Sequence, residues 1–294
     1  MIVRRAIAAC SLALPVALAG CSLLPTTRKL PVPKAPARVQ NATAKELVEG
    51  IDKRWDALNT LTATVEIQAT ELKSDTGLEK DFPSCRGYIV MRKPDMLRVA
   101  GTYFGARVFD MASDGKRFTL VIPLKNLAIE GPNTVKQRSD NQMLNLRPDF
   151  FLDSIVVRGL NTEDEFMSTA DTITTEDAAK KHLYSVPEYV LSVVRQKPDS
   201  HELTQTRRIT FHRDDLLPYG QEIYDSNGNL ETQVTYGDYA TFSAGEYPSR
   251  VTIKRPMEGI QLVLSVVRVQ ENVDLPADEF EVQIPAGTKI QNLQ

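Results

Sequence analysis

LTATVEIQAT, residues 61–70, decides the fold, because its apolar and polar residues alternate without interruption. Threonine, glutamate or glutamine fills every second position, and the positions between them hold Leu61, Ala63, Val65, Ile67 and Ala69. A period of two is that of a β-strand, whose successive side chains point to opposite faces of a sheet. The stretch therefore predicts a strand with one dry face.

An amphipathic helix is predicted immediately before this strand. Thr43 and Glu46 have the spacing of a capping box, in which each side chain accepts a hydrogen bond from the backbone amide of the other residue. Apolar residues then recur on one helical face, at Leu47, Ile51, Trp55 and Leu58.

Ten later segments also carry strand signals. They are GYIVMRK (87–93), DMLRVAG (95–101), ARVFDMAS (106–113), KRFTLVIP (116–123), YVLSVVR (189–195), TRRITFHR (206–213), GQEIYDS (220–226), NLETQVTY (229–236), SRVTIKR (249–255) and IQLVLSVVRVQ (260–270). Asp114-Gly115 and Asn227-Gly228 are hairpin dipeptides, typical of turns whose two central residues both need positive φ. Successive hairpins predict one long antiparallel sheet, which has to curl because strand twist accumulates.

Two helices are predicted in the region where the strand signals fade, residues 124–187. RPDFFLDSIV (147–156) is almost wholly apolar, and a helix formed by it could plug the concave face of a curled sheet. TTEDAAKKHL (174–183) has acidic residues at its start and lysines towards its end, which favours an amphipathic helix.

Some strands are apolar on both faces, notably those within 116–123 and 260–270. A sheet that is dry on both sides has to be covered on both sides. Helices alone could provide the cover, or a ligand could share it, and the sequence leaves both readings open.

The amino terminus reads as an export signal. Arg4 and Arg5 precede an apolar run, residues 6–19, which is too short and too interrupted by proline to be a comfortable transmembrane helix. Leu18-Ala19-Gly20-Cys21 resembles a bacterial lipobox, which implies that residues 1–20 are removed and that Cys21 is acylated and serves as the membrane anchor. An ordinary signal peptide that happens to contain cysteine is the alternative.

A proline-rich tether is predicted between the anchor and the folded domain, over residues 21–42. The segment from Ser22 to Gln40 contains four prolines and no acidic residue, and in an extended conformation it reaches on the order of 50 Å. Lipoprotein sorting commonly uses aspartate after the acylated cysteine for retention at the inner membrane, and here that residue is Ser22. The expected location is therefore the outer membrane, facing the periplasm, with the domain spanning residues 43–294.

Composition excludes several classes of function. The formal net charge is −3, and it becomes −5 once Arg4 and Arg5 leave with the signal, which argues against a nucleic-acid partner. The sequence has no nucleophile elbow, phosphate-binding glycine loop or HExxH motif, and His182, His201 and His212 lack metal-ligand spacing. We expect no catalysis, no cofactor and no metal. With Cys10 and Cys21 accounted for, Cys85 remains as a semi-buried thiol that has no cysteine to pair with.

Several motifs together are similar to the LolA/LolB superfamily of lipoprotein carriers and receptors. They are Gly87–Pro94 running into Asp95–Val99, Ser113-Asp114-Gly115, Leu217-Pro218, Tyr247-Pro248, and Phe280 approaching Pro285-Ala286-Gly287. The resemblance spans most of residues 43–290. It implies an α+β fold, mostly antiparallel β, in which a strongly curved, unclosed β-barrel carries helices over its concave face and encloses a hydrophobic cavity for acyl chains.

The resemblance also implies roles for individual residues. In the carrier, the basic residue before a proline ties the helical lid, and here that residue is Lys93, with Arg92 beside it. In the receptor, the loop between the third and fourth strands carries an exposed apolar residue that delivers lipid, which corresponds to Tyr103 and Phe104. The alternative for Phe104 is that it packs onto the core. Candidates to line the cavity are Trp55, Phe118, Leu120, Phe150 and Phe151.

Two classes of function follow from this reading. In the first, an outer-membrane-anchored periplasmic lipoprotein binds the acyl chains of membrane lipids or lipoproteins and acts as a receptor in their localisation, with a soluble periplasmic lipoprotein carrier as a candidate partner. In the second, the same fold is a non-catalytic envelope sensor or interaction module that binds a protein partner. Transfer of lipid into a bilayer distinguishes the two.

Overall fold

A computed structural model describes residues 38–73, 78–135, 145, 147–177, 182–243 and 245–293. Cys21, the signal segment and the tether up to residue 37 lie outside the described residues. No helix in the described part of the chain is both long enough and apolar enough to cross a bilayer.

Most of the described chain forms one large, mainly antiparallel sheet. Its strands in chain order are β1 (Thr60–Lys73), β2 (Leu78–Asp81), β3 (Cys85–Arg92), β4 (Met96–Tyr103), β5 (Ala106–Ser113), β6 (Arg117–Ile122), β7 (Leu127–Pro132), β8 (Glu165–Asp177), β9 (His182–Gln196), β10 (Leu203–His212), β11 (Pro218–Tyr224), β12 (Leu230–Tyr236), β15 (Arg250–Arg255), β16 (Ile260–Glu271) and β17 (Lys289–Asn292). A separate hairpin contains β13 (Tyr239–Phe242) and β14 (Gly245–Pro248).

The order of strands in the large sheet is β17-β7-β6-β5-β4-β3-β1-β16-β15-β12-β11-β10-β9-β8, with β2 paired to β1. β17 pairs with β7 in parallel, so the sheet is mixed. Among the described residues no pairing joins β8 to β17, and the sheet is therefore unclosed. The predicted architecture of mostly antiparallel strands with helices is confirmed.

The central pair of strands, β1 and β16, confirms the period-two prediction. Leu61, Val65 and Ile67 of β1 are buried, and they belong to the same apolar core as Leu262 and Leu264 of β16. On the β1 side the sheet continues through β3 to β7, and the last strand, β17, forms that edge. On the β16 side it continues through β15 and then β12 back to β8.

The first helix, α1 (Ala44–Ala57), begins at the predicted capping box. The Thr43 hydroxyl accepts from the Glu46 amide at 3.2 Å, and the Glu46 carboxylate accepts from the Thr43 amide at 2.7 Å. Leu47, Val48 and Ile51 are buried against apolar side chains of β9 and β10. The helix therefore covers the carboxy-terminal half of the sheet.

The second helix, α2 (Pro148–Ile155), forms where an apolar helix was predicted. Proline at its first position suits the helix start, because the amide it lacks has no partner there. Phe150, Phe151 and Leu152 are all buried. The helix contacts β4 and β5 on one side of the central pair, and β12 and β15 on the other.

The helix predicted over residues 174–183 is wrong at both of its described ends, because residues 174–177 belong to β8 and residues 182–183 belong to β9. Residues 178–181 lie outside the described residues. The two strands pair from Glu165 opposite Val194 to Asp177 opposite His182. The β-branched run Thr172–Thr175 favours this extended pairing.

The predicted turn at Asp114-Gly115 is present, although its chemistry differs from the expected one. Only Gly115 has a positive φ, of 91°. The Asp114 carboxylate instead accepts from the amides of Lys116 and Arg117, both at 2.8 Å.

The prediction that the strand within 260–270 is buried on both faces holds only in part, because Val267 of β16 is 56% exposed.

Candidate functional site

An apolar cavity of about 350 Å³, here called the Phe151 cavity, lies between α2 and the amino-terminal half of the sheet. Its lining contains no charged side chain: Ile67, Ala69, Phe82, Pro83, Cys85, Tyr103, Val108, Phe109, Leu124, Phe151 and Leu262. Burial raises the pKa of the Cys85 thiol, as expected in such surroundings. The cavity can accept a hydrocarbon chain by the hydrophobic effect alone.

A glycine shapes this cavity. A Cβ atom placed on Gly101 of β4 would lie 2.5 Å from the ring of Phe109 and 3.1 Å from the Cys85 sulfur. With glycine there, the Phe109 ring can approach the backbone of β4 closely. Any larger residue would push the ring away from this position.

The hairpin tip between β4 and β5 carries an aromatic pair beside the cavity. Tyr103 borders the cavity, and the rings of Tyr103 and Phe104 meet edge to face with centroids 4.6 Å apart. Phe104 is 93% exposed, so it does not pack onto the core. Its φ is +46° and that of Gly105 is +81°, which places a bulky residue in the left-handed region that favours glycine or asparagine.

A second exposed apolar side chain lies near the same end of these strands. Leu124, in the 3₁₀ turn Pro123–Lys125 between β6 and β7, borders the Phe151 cavity although it is 83% exposed. The antiparallel pairing of β4, β5 and β6 places this turn and the Phe104 tip at the same end of the three strands. Together with Tyr103 they mark the mouth of the cavity.

The two residues predicted to tie the lid contact different segments. The Lys93 ammonium donates to the Trp55 carbonyl of α1 at 2.6 Å and lies 4.6 Å from the centroid of the Trp55 ring. Arg92 donates to the Leu275 carbonyl at 2.8 Å and lies over the ring of Phe280. Lys93 therefore contacts the end of α1, whereas Arg92 contacts the carboxy-terminal segment.

The residues predicted to line one cavity lie in several places. Phe151 lines the Phe151 cavity, and Trp55 lines a second cavity near the end of α1. Phe150 lines a third, polar cavity. Phe118 and Leu120 of β6 are buried in the main core and line none of these three cavities.

The polar cavity, of about 360 Å³, contains acidic residues that sequence reasoning missed. Burial, followed by repulsion from Asp153, raises the pKa of Asp149 to about 6. Burial also raises the pKa of Asp153, whose carboxylate lies 2.7 Å from Arg158. The i, i+4 spacing of the two aspartates on an apolar helix was the available signal.

Among the described residues, no cluster of histidine, cysteine, aspartate or glutamate could hold a metal ion. The described site is thus an apolar cavity, with exposed aromatic and aliphatic side chains at its mouth.

No protein-family model matches the sequence, and no curated protein matches it. Among solved structures, the chain is similar to a LolA superfamily protein from Nitrosomonas europaea, with 16% identity, a TM-score of 0.51, and coverage of 82% of this chain and 99% of that one. It also matches a DUF1329 family protein from Desulfovibrio piger, with 12% identity, a TM-score of 0.49, and coverage of 81% and 95%. A third match is described as an outer membrane lipoprotein-sorting protein domain from Vibrio parahaemolyticus, with 12% identity, a TM-score of 0.47, and coverage of 81% and 94%. The chain shares the fold of the LolA superfamily protein, as the sequence resemblance predicted.

Proposed function

We propose that this protein is a non-catalytic lipoprotein of the outer membrane, anchored through acylated Cys21 and facing the periplasm. In this account it binds acyl chains in the Phe151 cavity and passes them to the bilayer, acting as a receptor in lipid or lipoprotein localisation. A soluble periplasmic lipoprotein carrier is the candidate donor. The observation that carries the proposal is the exposed Phe104 beside the mouth of an apolar cavity.

The position of Phe104 favours a role at a membrane rather than in the fold. A left-handed conformation costs an L-residue roughly 1–2 kcal/mol, and asparagine or glycine would relieve part of it. Packing does not repay this cost, because the side chain is 93% exposed. Strain held at an exposed apolar residue is typical of functional positions. Insertion of the ring into a bilayer would give the missing stabilisation.

The strand contacts of α2 support a curved sheet as part of the proposal. α2 contacts both β5 and β12, which are six strand spacings apart in the sheet. At about 4.8 Å per spacing, a flat sheet would separate these strands by about 29 Å. An eight-residue helix is only about 12 Å long. We therefore propose that the sheet curves round α2, with the Phe151 cavity on the concave face.

The contacts at the carboxy-terminal end of α1 support a lid whose position Lys93 controls. Lys93 directly follows β3, and its ammonium donates a hydrogen bond to the Trp55 carbonyl in the last turn of α1. Movement of α1 would break this hydrogen bond and the cation–π contact with the Trp55 ring. Arg92 donates to the Leu275 carbonyl of the carboxy-terminal segment and does not contact α1 through this bond. We therefore propose that Arg92 fixes the carboxy-terminal segment while Lys93 controls the lid.

Two variants separate binding from delivery. Ala69→Phe adds a ring inside the Phe151 cavity and should reduce uptake of a fluorescent fatty-acyl probe. Phe104→Ala should leave uptake intact but slow transfer of the bound probe to phospholipid vesicles by about tenfold, since burial of a phenylalanine is worth at least that factor. Phe166→Ala is the matched control, because Phe166 is also exposed but lies on β8, at the far edge of the sheet.

Each result has a defined meaning. Uptake that Ala69→Phe does not reduce would place the acyl chain elsewhere and contradict the site. Wild-type protein that binds the probe but never transfers it would contradict delivery, and would favour the interaction-module alternative. Equal slowing by Phe104→Ala and Phe166→Ala would show that the tip of the hairpin has no special role.

A further inference from the structure

A second cavity, here called the Tyr236 cavity, has a volume of about 340 Å³ and lies between the end of α1, the segment after α2, and the β11 to β14 region. Its inner side is aromatic and apolar, with Trp55, Tyr236, Tyr239 and Tyr247 among the lining residues. This cavity shares no lining residue with the Phe151 cavity.

The three tyrosine hydroxyls of this cavity differ in their partners. Tyr239 donates to the Pro218 carbonyl at 2.7 Å, and Tyr247 donates to the Ile155 carbonyl at 2.5 Å. The Tyr236 hydroxyl is buried and has no hydrogen-bond partner among the described residues. Buried hydroxyls are nearly always hydrogen-bonded, because an unsatisfied one loses its hydration without compensation. Among the residues that the structure describes, the Tyr236 hydroxyl is thus a buried donor that a bound ligand could satisfy.

The charges around this cavity oppose an ionic ligand of either sign. The charged residues of its lining are one cation, Arg54, and two acids, Glu246 and Glu271, so an anion would lie near two carboxylates. A cation on the aromatic wall would meet Lys93, which already lies 4.6 Å from the centroid of the Trp55 ring. An uncharged molecule avoids both costs.

We propose that the Tyr236 cavity binds an uncharged, largely apolar molecule that carries a carbonyl oxygen at its buried end, and that this oxygen accepts a hydrogen bond from the Tyr236 hydroxyl. A plain hydrocarbon chain would fill the cavity but leave the hydroxyl unpaired. The site is separate from the acyl-chain site of the proposed function, and either one can fail without the other.

The test uses two probes of nearly equal shape, acetophenone and ethylbenzene, which differ by the carbonyl oxygen. Dissociation constants come from ligand-observed NMR titrations of the mature protein. The measured quantity is the ratio of the two constants, because it cancels the part of binding that is due to hydrophobicity. In Tyr236→Phe the relative preference for acetophenone should fall by about 5- to 10-fold, the worth of one buried hydrogen bond.

A matched pair of filling variants locates the site. Val157→Phe adds a ring in the Tyr236 cavity and should weaken binding of both probes, whereas Ala69→Phe fills the Phe151 cavity and should leave both constants unchanged. The opposite pattern would overturn the proposal, as would a ratio that Tyr236→Phe does not alter, or a wild-type protein that binds neither probe.

A crystal structure with acetophenone provides a measurement that does not depend on any variant. The proposal predicts the carbonyl oxygen about 2.7–2.8 Å from the Tyr236 oxygen, the usual distance for this kind of hydrogen bond. Acetophenone found in the cavity with its oxygen turned away from Tyr236 would contradict the assignment.

Discussion

The Tyr247 hydroxyl donates a hydrogen bond to the Ile155 carbonyl across 2.5 Å, and this bond joins the small β13–β14 hairpin to the last turn of α2. Both groups are buried. Tyr247→Phe would leave the carbonyl without this donor, so we expect the free energy of unfolding in urea to fall by about 1–2 kcal/mol.

Tyr236→Phe is the control for that measurement, since it removes a buried hydroxyl that has no partner among the described residues. We expect its free energy of unfolding to equal or exceed that of the wild type. If both variants lost the same stability, the difference in hydrogen bonding between the two tyrosines would be refuted.

Phe104→Asn should stabilise the protein while it impairs transfer. Asparagine tolerates the left-handed conformation of this turn, so we expect a gain of up to about 1 kcal/mol in urea unfolding. Gly105→Ala is the opposite control, because alanine at φ +81° should lose about 1 kcal/mol. A loss of stability in Phe104→Asn would mean that the ring contributes to the fold, against the account given for it.

Gly101→Ala should reduce both stability and acyl-chain uptake. The new methyl group would meet the Phe109 ring at 2.5 Å and drive it into the Phe151 cavity, with an expected loss of about 1–3 kcal/mol. Gly50→Ala makes the same change on the exposed side of α1, where no atom lies within 4 Å, and should gain about 0.5–1 kcal/mol. Equal uptake by Gly101→Ala and wild type would show that the ring does not define the cavity.

Asp149 should make the protein less stable as the pH rises from 4 to 6. Its folded-state pKa of about 6 lies above the value in the unfolded chain, so folding takes up a proton in this window. The stability that this carboxyl contributes is complete below pH 4 and is lost as the pH passes 6. Asp149→Asn should therefore be about 1 kcal/mol more stable than the wild type at pH 7, after allowance for solvent screening, and equal to it at pH 4.

The measurement is urea unfolding of both proteins across that pH range. A difference in stability that stays constant from pH 4 to pH 7 would contradict the raised pKa of Asp149.

Local sequence patterns were enough to predict the helices and strands that contain their own capping residues or bury one apolar face. The capping box of α1, the alternation in β1 and the apolar run of α2 are signals contained within a few residues. The β8–β9 hairpin was missed because each strand depends on its partner, and the local charges of 174–183 favour a helix instead.

The site was less accessible to prediction than the fold. Phe118 and Phe151 are equally apolar in sequence, yet Phe151 lines the Phe151 cavity and Phe118 does not, since this depends on how a helix meets distant strands. The three tyrosines of the Tyr236 cavity are a second example. Tyr239 and Tyr247 donate to carbonyls from distant parts of the chain, whereas the Tyr236 hydroxyl has no partner among the described residues. Such properties arise from tertiary packing and leave no local signal.

The most direct test of acyl-chain binding uses Cys85, which lines the Phe151 cavity. In a variant that comprises residues 21–294 and carries Cys21→Ala, Cys85 is the only thiol, and its rate of alkylation by N-ethylmaleimide can be followed by mass spectrometry. With palmitic acid at ten times its dissociation constant, we predict a rate about tenfold lower, because only the free fraction reacts. An unchanged rate under saturating palmitic acid would mean that the chain does not occupy this cavity, and would contradict the central claim.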